Sequence, residues 1–176
     1  ELRHNSKEAI SKLKKLGVKN IIMLTGDTKQ KAKMIADELG INEVRAELLP
    51  QDKAKIVKEL MNEGKKVAFV GDGINDAPAL ISAHVGISMS RGADIAKATA
   101  DISLLKDDIM AVVEAKEYAN KTMNLINNNF NATVRINSCI LAGATFGVFS
   151  PIVTAVLHNG TTIGLLFNSI KGVNIR

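Results

Sequence analysis

Gly71-Asp72-Gly73-Ile74-Asn75-Asp76-Ala77-Pro78 is the stretch that decides the fold, and it follows directly on the apolar run Lys66–Val70. Glycine at the end of a strand lets the backbone approach a ligand closely. Acids and an asparagine at such a place would pack poorly, whereas their oxygens suit a hard cation. A lone Gly-Asp-Gly is often only a turn, but the whole stretch is much more specific. It predicts a ligand site at the carboxyl end of a parallel strand.

A second strand-like run, Asn20–Thr25, ends in similar residues, Thr25-Gly26-Asp27. Between the two runs, Pro50-Gln51-Asp52-Lys53 places a lysine in the first turn of a helix, where we expect it not to pack. A hydroxyl, a lysine and paired carboxylates around one spot suit phosphoryl transfer with a magnesium ion. Taken alone, Thr-Gly-Asp is more often a turn whose aspartate caps a helix.

The first 128 residues alternate between helix-like and strand-like segments with short connections. The predicted helices are Ser6–Leu16, Lys29–Leu39, Pro50–Glu63, Ala93–Thr99 and one that runs from Asp107 toward Asn129. The predicted strands are Asn20–Thr25, Glu43–Leu49, Lys66–Val70, Val85–Met89 and Asp101–Leu105. Such alternation predicts parallel strands joined by right-handed crossovers. The fold class expected for residues 1–128 is therefore α/β, with a doubly wound parallel sheet.

The chain changes character near its end, because Ile136–Ile170 contains no Asp, Glu, Lys or Arg. Ser150-Pro151 divides this uncharged stretch, and the second piece, Ile152–Ile170, has about the length of 20 residues that crosses a bilayer. The first piece, Ile136–Phe149, is too short alone and reaches that length only if Asn131–Arg135 are included, with Arg135 extending toward the interface. We therefore predict a transmembrane helical hairpin over residues 129–176. The flanking positive charges, Lys121, Arg135, Lys171 and Arg176, would keep both ends and the α/β domain on the cytoplasmic side of a cell membrane. A buried helical hairpin of a soluble protein is the alternative.

Charge and cysteine content exclude several other classes of protein. The net charge of +5 is spread over helix-like stretches that also carry acids, and no basic stripe with aromatic residues occurs, so nucleic acid is not an expected partner. The single cysteine, Cys139, excludes a disulfide framework and a cysteine-based structural zinc site. We expect it to act as a small apolar filler.

Four segments resemble the phosphorylation domain of P-type ATPases, which has the haloacid dehalogenase-like fold. These segments are MLTGD (Met23–Asp27), LLPQDKAKIV (Leu48–Val57), VGDGINDAPAL (Val70–Leu80) and VGISMSRGADIAKATADISLL (Val85–Leu105). The resemblance extends over essentially the whole chain. The single hairpin that follows the domain is similar to the carboxyl-terminal end of the heavy-metal-transporting pumps.

The resemblance implies a role for each matching residue. Asp72 would bind magnesium, with Asn75 and Asp76 supporting the metal and the phosphate. Thr25 would hold the phosphoryl group transferred from ATP, Gly26 would give it access to the backbone, and Lys53 would stabilise its charge. The implied catalytic set is Thr25, Gly26, Asp27, Lys53, Asn75 and Asp76.

Other parts of such a pump do not occur in this sequence. The phosphorylated aspartate of the family lies in an Asp-Lys-Thr-Gly-Thr segment, which is absent here. In the related fold that segment follows the central strand of the sheet, between the strands that end at Thr25 and Asp72. The resemblance therefore implies a partial domain that lacks its central strand, is inactive alone and depends on the amino-terminal portion of the pump.

The segment His158-Asn159-Gly160-Thr161-Thr162 is similar to a His-Glu-Gly-x-Thr pattern in some zinc- or cobalt-type pumps. Asn159 stands where the acid would be, so the transported metal stays open. His158 is a candidate ligand of that cation, because an imidazole within a membrane helix is costly. The alternative is a histidine at a helix end, or polar residues that only join helices. A phosphatase of the same superfamily and a catalytically silent membrane-anchored module are the competing functions.

Overall fold

The computed structural model describes residues 5–72, 74–89 and 94–172. Gly73, Ala93 and Arg176, which carried sequence predictions, lie outside these ranges. The helices are α1 Ser6–Lys15, α2 Lys29–Leu39, α3 Pro50–Asn62, α4 Ala77–Ser82, α5 Asp94–Thr99, α6 Met110–Thr145 and α7 Pro151–Gly172. The strands are β1 Ile22–Leu24, β2 Glu43–Arg45, β3 Ala68–Gly71, β4 Val85–Ser88 and β5 Ile102–Ser103, and a 3-10 turn spans Ile74–Asp76.

Local signals place the ends of several predicted helices. Gly40 ends α2 with a left-handed backbone (φ 69°), which glycine adopts without a steric penalty. Pro50 opens α3, and the Asp52 carboxylate accepts a hydrogen bond from the Leu49 N–H at 2.9 Å. This bond satisfies a donor at the helix start. The 3-10 turn and α4 were not predicted, although Pro78 in the first turn is a start signal.

All strand pairs are parallel, as predicted, but the described strands form two sheets rather than one. β1 pairs with β2, and β3, β4 and β5 form the second sheet in that order. The registers align Ile22 with Glu43 in the first sheet and Ala68 with Val85 in the second. β2 is shorter than predicted and ends at Arg45, because the chain turns at Glu47, whose φ is 59°.

The core of the α/β part lies under the second sheet. Ile87 and Met89 pack with Leu104 and Val112, and partly buried side chains of α1, β4 and the start of α6 cover them. Burial of this cluster stabilises the sheet by the hydrophobic effect, about 1.5–3 kcal/mol for each fully buried large side chain. The cluster includes residues of β4, the strand that pairs with β3, and the candidate site follows β3.

The chain divides into two compact units, residues 1–116 and 117–176. The second unit contains most of α6 and all of α7, so the predicted boundary between residues 128 and 129 falls inside α6. The predicted turn is present, with a left-handed Gly147 (φ 73°) and α7 beginning at Pro151.

The prediction of a transmembrane hairpin is not supported. Among the described residues, none of the helices is both long enough and apolar enough to cross a membrane. In α7 the polar side chains of His158, Asn159 and Asn168 interrupt the apolar sequence, and the first half of α6 carries charges.

Candidate functional site

The loop after β1 holds a hydroxyl in a defined position. The Asp27 N–H donates to Thr25 Oγ1 at 3.1 Å, and the Thr25 hydroxyl donates to Asp27 Oδ2 at 3.3 Å. A Cβ on Gly26 would lie 3.3 Å from the Leu48 carbonyl oxygen, so glycine allows the loop after β2 to approach. The loop thus places the Thr25 hydroxyl at the carboxyl end of a parallel strand, where such sheets bind ligands.

Asp27 is held in its ionised form by a neighbour that the sequence analysis did not single out. Lys31 Nζ donates to Asp27 Oδ1 at 2.7 Å, one turn along α2. This hydrogen bond and the charge of Lys31 lower the pKa of Asp27 below its ordinary value, although both side chains are exposed. The four-residue spacing of Asp27 and Lys31 is a signal that the sequence does contain.

The loop between β2 and α3 folds back on the Thr25 loop. The Leu48 N–H donates to the Thr25 carbonyl oxygen at 3.1 Å, and the Glu47 N–H donates to the Asp27 carbonyl oxygen at 2.9 Å. Glu47 adopts a left-handed backbone, φ 59°, which costs energy for a residue with a side chain. The two hydrogen bonds help to maintain this strained conformation. The sequence does not indicate it, because position 47 has neither the glycine nor the asparagine that usually adopts a left-handed backbone.

Lys53 and Asp76 form an ion pair, with 2.7 Å between Lys53 Nζ and Asp76 Oδ1. Their side chains are only 17% and 11% exposed, respectively. The expectation that Lys53 does not pack is therefore wrong. α3 packs against the 3-10 turn and α4, and this contact encloses the first turn of α3 where Lys53 lies.

Asp76 is also fixed by the backbone of the second strand end. Its Oδ2 accepts a hydrogen bond from the Asp72 N–H at 3.3 Å. A Cβ on Gly71 would lie 2.7 Å from the Asp76 Cβ, closer than real contacts allow, so Gly71 has to be glycine for Asp76 to occupy this position. Asp72 and Asn75 are exposed beside it.

Asp72 and Asp76 provide carboxylates that fit a magnesium ion with few protein ligands. No cluster of three or more His, Cys, Asp or Glu side chains that could hold a metal occurs among the described residues. Magnesium typically uses one or two carboxylates and completes its shell with water and substrate phosphate. Asp76 accepts hydrogen bonds from Lys53 and from the Asp72 N–H, and Asp72 is exposed.

The structure connects the predicted site residues in two groups. Thr25 and Asp27 contact each other in one loop, and Lys53, Asp76 and the backbone of Asp72 contact one another in the second group. The segment of residues 45–53 joins the groups, because it bonds to the Thr25 loop and then begins α3. His158 lies in the other unit.

Polar side chains join α6 and α7 within residues 117–176. His158 Nδ1 lies 3.1 Å from Asn137 Oδ1. Asn129 Nδ2 donates to Ser169 Oγ at 2.7 Å, and Asn168 Nδ2 donates to Asn129 Oδ1 at 2.7 Å. A cavity of about 300 Å³ lies nearby, lined by Arg135, Ile136, Cys139, Ile140, Phe149 and Leu157. Cys139, which lines this cavity, is exposed.

Known proteins share these parallel strands with polar residues at their carboxyl ends. Residues 1–84 match the family of haloacid dehalogenase-like hydrolases. Along its whole length the chain is homologous to heavy-metal P-type ATPases.

Two curated relatives export different metals. The chain is 41% identical over 177 residues to a manganese-exporting P-type ATPase of Mycobacterium leprae and 40% identical over 177 residues to a zinc-exporting P-type ATPase of Mycobacterium marinum. Each alignment covers 100% of this chain and 24% of the relative. The chain therefore spans about a quarter of the length of these relatives.

A solved structure is also similar to this chain. The crystal structure of a zinc-transporting PIB-type ATPase in the E2.Pi state matches with a TM-score of 0.89 and 36% sequence identity. The match covers 99% of this chain and 28% of that protein.

Proposed function

We propose that this chain is part of an ATP-driven P-type pump that exports a transition-metal cation, and that it carries the magnesium- and phosphate-binding half of the phosphorylation site. The observation that carries the proposal is the enclosed Lys53–Asp76 pair beside Asp72, linked through one loop to the Thr25 hydroxyl. The manganese- and zinc-exporting relatives support the class of cation but not one metal.

In this function the chain binds and neutralises a phosphoryl group. The Thr25 hydroxyl and the Gly26 N–H would donate to its oxygens, and Lys53 would neutralise their charge. Asp76 keeps the ammonium group of Lys53 in place before the phosphoryl group arrives. Magnesium, held by Asp72, would supply further positive charge on the phosphate. The nucleophilic aspartate that receives the phosphoryl group from ATP would come from another part of the pump.

The division into two sheets supports a missing central strand. Among the described residues, β1 pairs only with β2, and β3 pairs only with β4, so each of these strands has one edge without a partner strand. Unpaired strand edges inside a domain are costly. We infer that a strand from the rest of the pump lies between β1 and β3 and brings the nucleophile to the site.

The second unit would belong to the membrane part of the pump. Its side chains are arranged with polar groups between α6 and α7 and large apolar groups outward, among them Phe130, Leu141, Phe146, Ile152, Val156 and Phe167. An apolar exterior suits lipid or neighbouring helices. Because α7 is too polar to qualify as a span by itself, its insertion would depend on its polar contacts with α6, which pair these groups with each other. The α/β unit would then lie on the cytoplasmic side.

His158 would contribute a ligand to the transported cation. It lies in an uncharged stretch and is exposed on α7. A neutral imidazole nitrogen suits manganese, zinc and similar divalent metals. The remaining ligands would come from other helices, since no metal-binding cluster of three occurs among the described residues.

A chimera tests the proposed chemistry. In it, this chain replaces the 177 aligned residues of the manganese-exporting ATPase of Mycobacterium leprae. We expect magnesium-dependent, acid-stable labelling of the chimera by ATP that carries ³²P in its γ-phosphate. Asp72→Asn, which removes the proposed metal-binding charge, should lower this labelling more than about tenfold. Asp37→Asn, an exposed acid on α2, is the matched control and should label normally. Normal labelling of Asp72→Asn would contradict the assignment.

A separate experiment tests the membrane placement. After expression of the chain in bacteria, alkaline carbonate extraction should leave it in the membrane pellet. An arginine at Val156, on the exposed face of α7, should release it, whereas an arginine at the equally exposed Met34 of α2 should not. Complete extraction of the unmodified chain would rule out the membrane placement while leaving the phosphorylation chemistry open.

A further inference from the structure

The contact between His158 and Asn137 determines which nitrogen of the imidazole is available. Nδ1 of His158 lies 3.1 Å from Oδ1 of Asn137, and an amide oxygen can only accept a hydrogen bond. The hydrogen must therefore lie on Nδ1 of a neutral ring. Nε2 is then the nitrogen with the lone pair, and this is the atom that can bind a cation.

A second set of contacts fixes the same register of the two helices. Asn129 bonds to Asn168 and Ser169, each at 2.7 Å. Asn129 and Asn137 lie on the same face of α6, two turns or about 12 Å apart, while His158 and Ser169 lie three turns or about 16 Å apart on α7. A shift of α7 by one residue would move both sets of partners apart. The Asn129 contacts thus hold His158 opposite Asn137.

The side chains of Asn137 and His158 differ in their exposure. Asn137 is half-buried, so its side chain has a restricted orientation, whereas His158 is exposed. Asn137 therefore orients the ring from one side while the other side stays accessible. In metal sites, the ring nitrogen that does not bind metal is generally held by a carboxylate, a carbonyl or water in this way.

We propose that Asn137 is a positioning residue that fixes the tautomer and orientation of His158, so that Nε2 faces a divalent transition-metal cation. The inference rests on the proposed function, because it deepens the role given there to His158. It also explains why an asparagine lies at this position of an otherwise apolar segment.

Nuclear magnetic resonance can test the tautomer independently of transport. The ¹⁵N-labelled 176-residue chain is studied in detergent micelles, and the His158 signals are assigned from their loss in His158→Gln. We expect a protonated Nδ1 in the unmodified chain and in Asn137→Asp, which keeps the acceptor oxygen. Asn137→Ala should shift the proton toward Nε2, whereas Asn168→Ala, the matched control in the other contact, should not. A protonated Nε2 in the unmodified chain would overturn the proposal.

A zinc titration tests the consequence in the chimera, labelled with ¹⁵N-histidine, because other helices of the pump supply the remaining ligands there. The unmodified chain and the same variants are compared within this chimera. Zinc should shift the Nε2 resonance of His158, and Asn137→Ala should weaken this effect about 10–100-fold, as loss of such supporting contacts does in other metal sites. Asn137→Asp, which keeps the acceptor oxygen, should leave the zinc affinity at Nε2 of His158 unchanged. Equal zinc affinity in Asn137→Ala would overturn the positioning role. If zinc does not act on Nε2 even in the unmodified chain, the cation role of His158 in the proposed function fails, whereas the tautomer assignment stands or falls by its own measurement.

Discussion

Nζ of Lys53 lies 2.7 Å from Oδ1 of Asp76, and this ion pair joins the first turn of α3 to the 3-10 turn that follows β3. The two residues are separated by 23 positions in the sequence. Because both side chains are largely enclosed, neither can be removed without leaving the other enclosed and deprived of its ion-pair partner. The pair therefore links the stability of the α/β unit to the geometry of the candidate site.

Replacing Lys53 by methionine should affect both stability and chemistry. The variant keeps the apolar stem but leaves the Asp76 carboxylate without its charged partner, so the free energy of unfolding should fall by about 1–3 kcal/mol. In the chimera, phosphoenzyme formation should also fall strongly for each folded molecule. Urea unfolding and labelling by ATP measure the two effects, with the exposed Lys58→Met on the same helix as control. Unchanged labelling per folded molecule would make Lys53 purely structural.

Gly71→Ala should displace Asp76. The added Cβ would lie 2.7 Å from the Asp76 Cβ and 2.9 Å from its Oδ2. Overpacking of this kind costs about 1–3 kcal/mol. The urea midpoint should therefore fall, and Lys53 should lose its contact with Asp76. Gly160→Ala is the matched control, because no atom lies within 4 Å of its added Cβ. Equal midpoints for Gly71→Ala and the unmodified chain would refute the close approach.

The pKa of Asp27 should depend on Lys31. The hydrogen bond from Lys31 lowers the Asp27 pKa below 3.8 in the folded chain, so the pair stabilises the fold above that pH. This small contribution should disappear as the pH falls through the lowered pKa. Carboxyl chemical shifts during a pH titration should show the Asp27 pKa rising in Lys31→Met. Lys33→Met, which changes a neighbouring lysine on α2, should leave the pKa of Asp27 unchanged. No difference between the two variants would argue against the contact.

Hydrogen exchange should reveal the missing strand. β1 and β3 each have an edge without a partner among the described residues, so their amides should exchange faster than those of β4, which is paired on both sides. A peptide that carries the central strand implied by the family resemblance, together with the Asp-Lys-Thr-Gly-Thr segment that follows it, should slow exchange in β1 and β3. A scrambled peptide should have no effect. High protection of both strands without any peptide would count against an open central position.

The helices and strands of the α/β unit could be predicted because their signals are local. Gly40 ends α2 in the left-handed conformation, and Pro50 opens α3. The apolar runs around β1 and β3 are bounded by glycine, which marks the strand ends that carry the site. By contrast, the prediction for α6 stopped at Asn129, whereas the helix continues to Thr145, because nothing in the sequence near Asn129 breaks a helix.

The candidate site residues could also be proposed from the sequence, but their contacts could not. Thr25, Asp72 and Asp76 could be named because polar groups at the ends of apolar strands have no packing role. The ion pair of Lys53 depends on how α3 meets the 3-10 turn, which only the packing of distant segments decides. The left-handed backbone of Glu47 likewise depends on the hydrogen bonds that Glu47 and Leu48 donate to the Thr25 loop.

The sequence by itself determined the α/β class, the parallel strands and the residues at their ends, because periodicity and turn residues act over a few positions. Only the tertiary structure decided that the strands form two sheets, that Gly71 makes room for Asp76, and that Asn137 faces His158. Each of these depends on where segments far apart in the chain meet. The physical reason is that side-chain contacts between such segments are set by close packing of the whole unit, which no local pattern encodes.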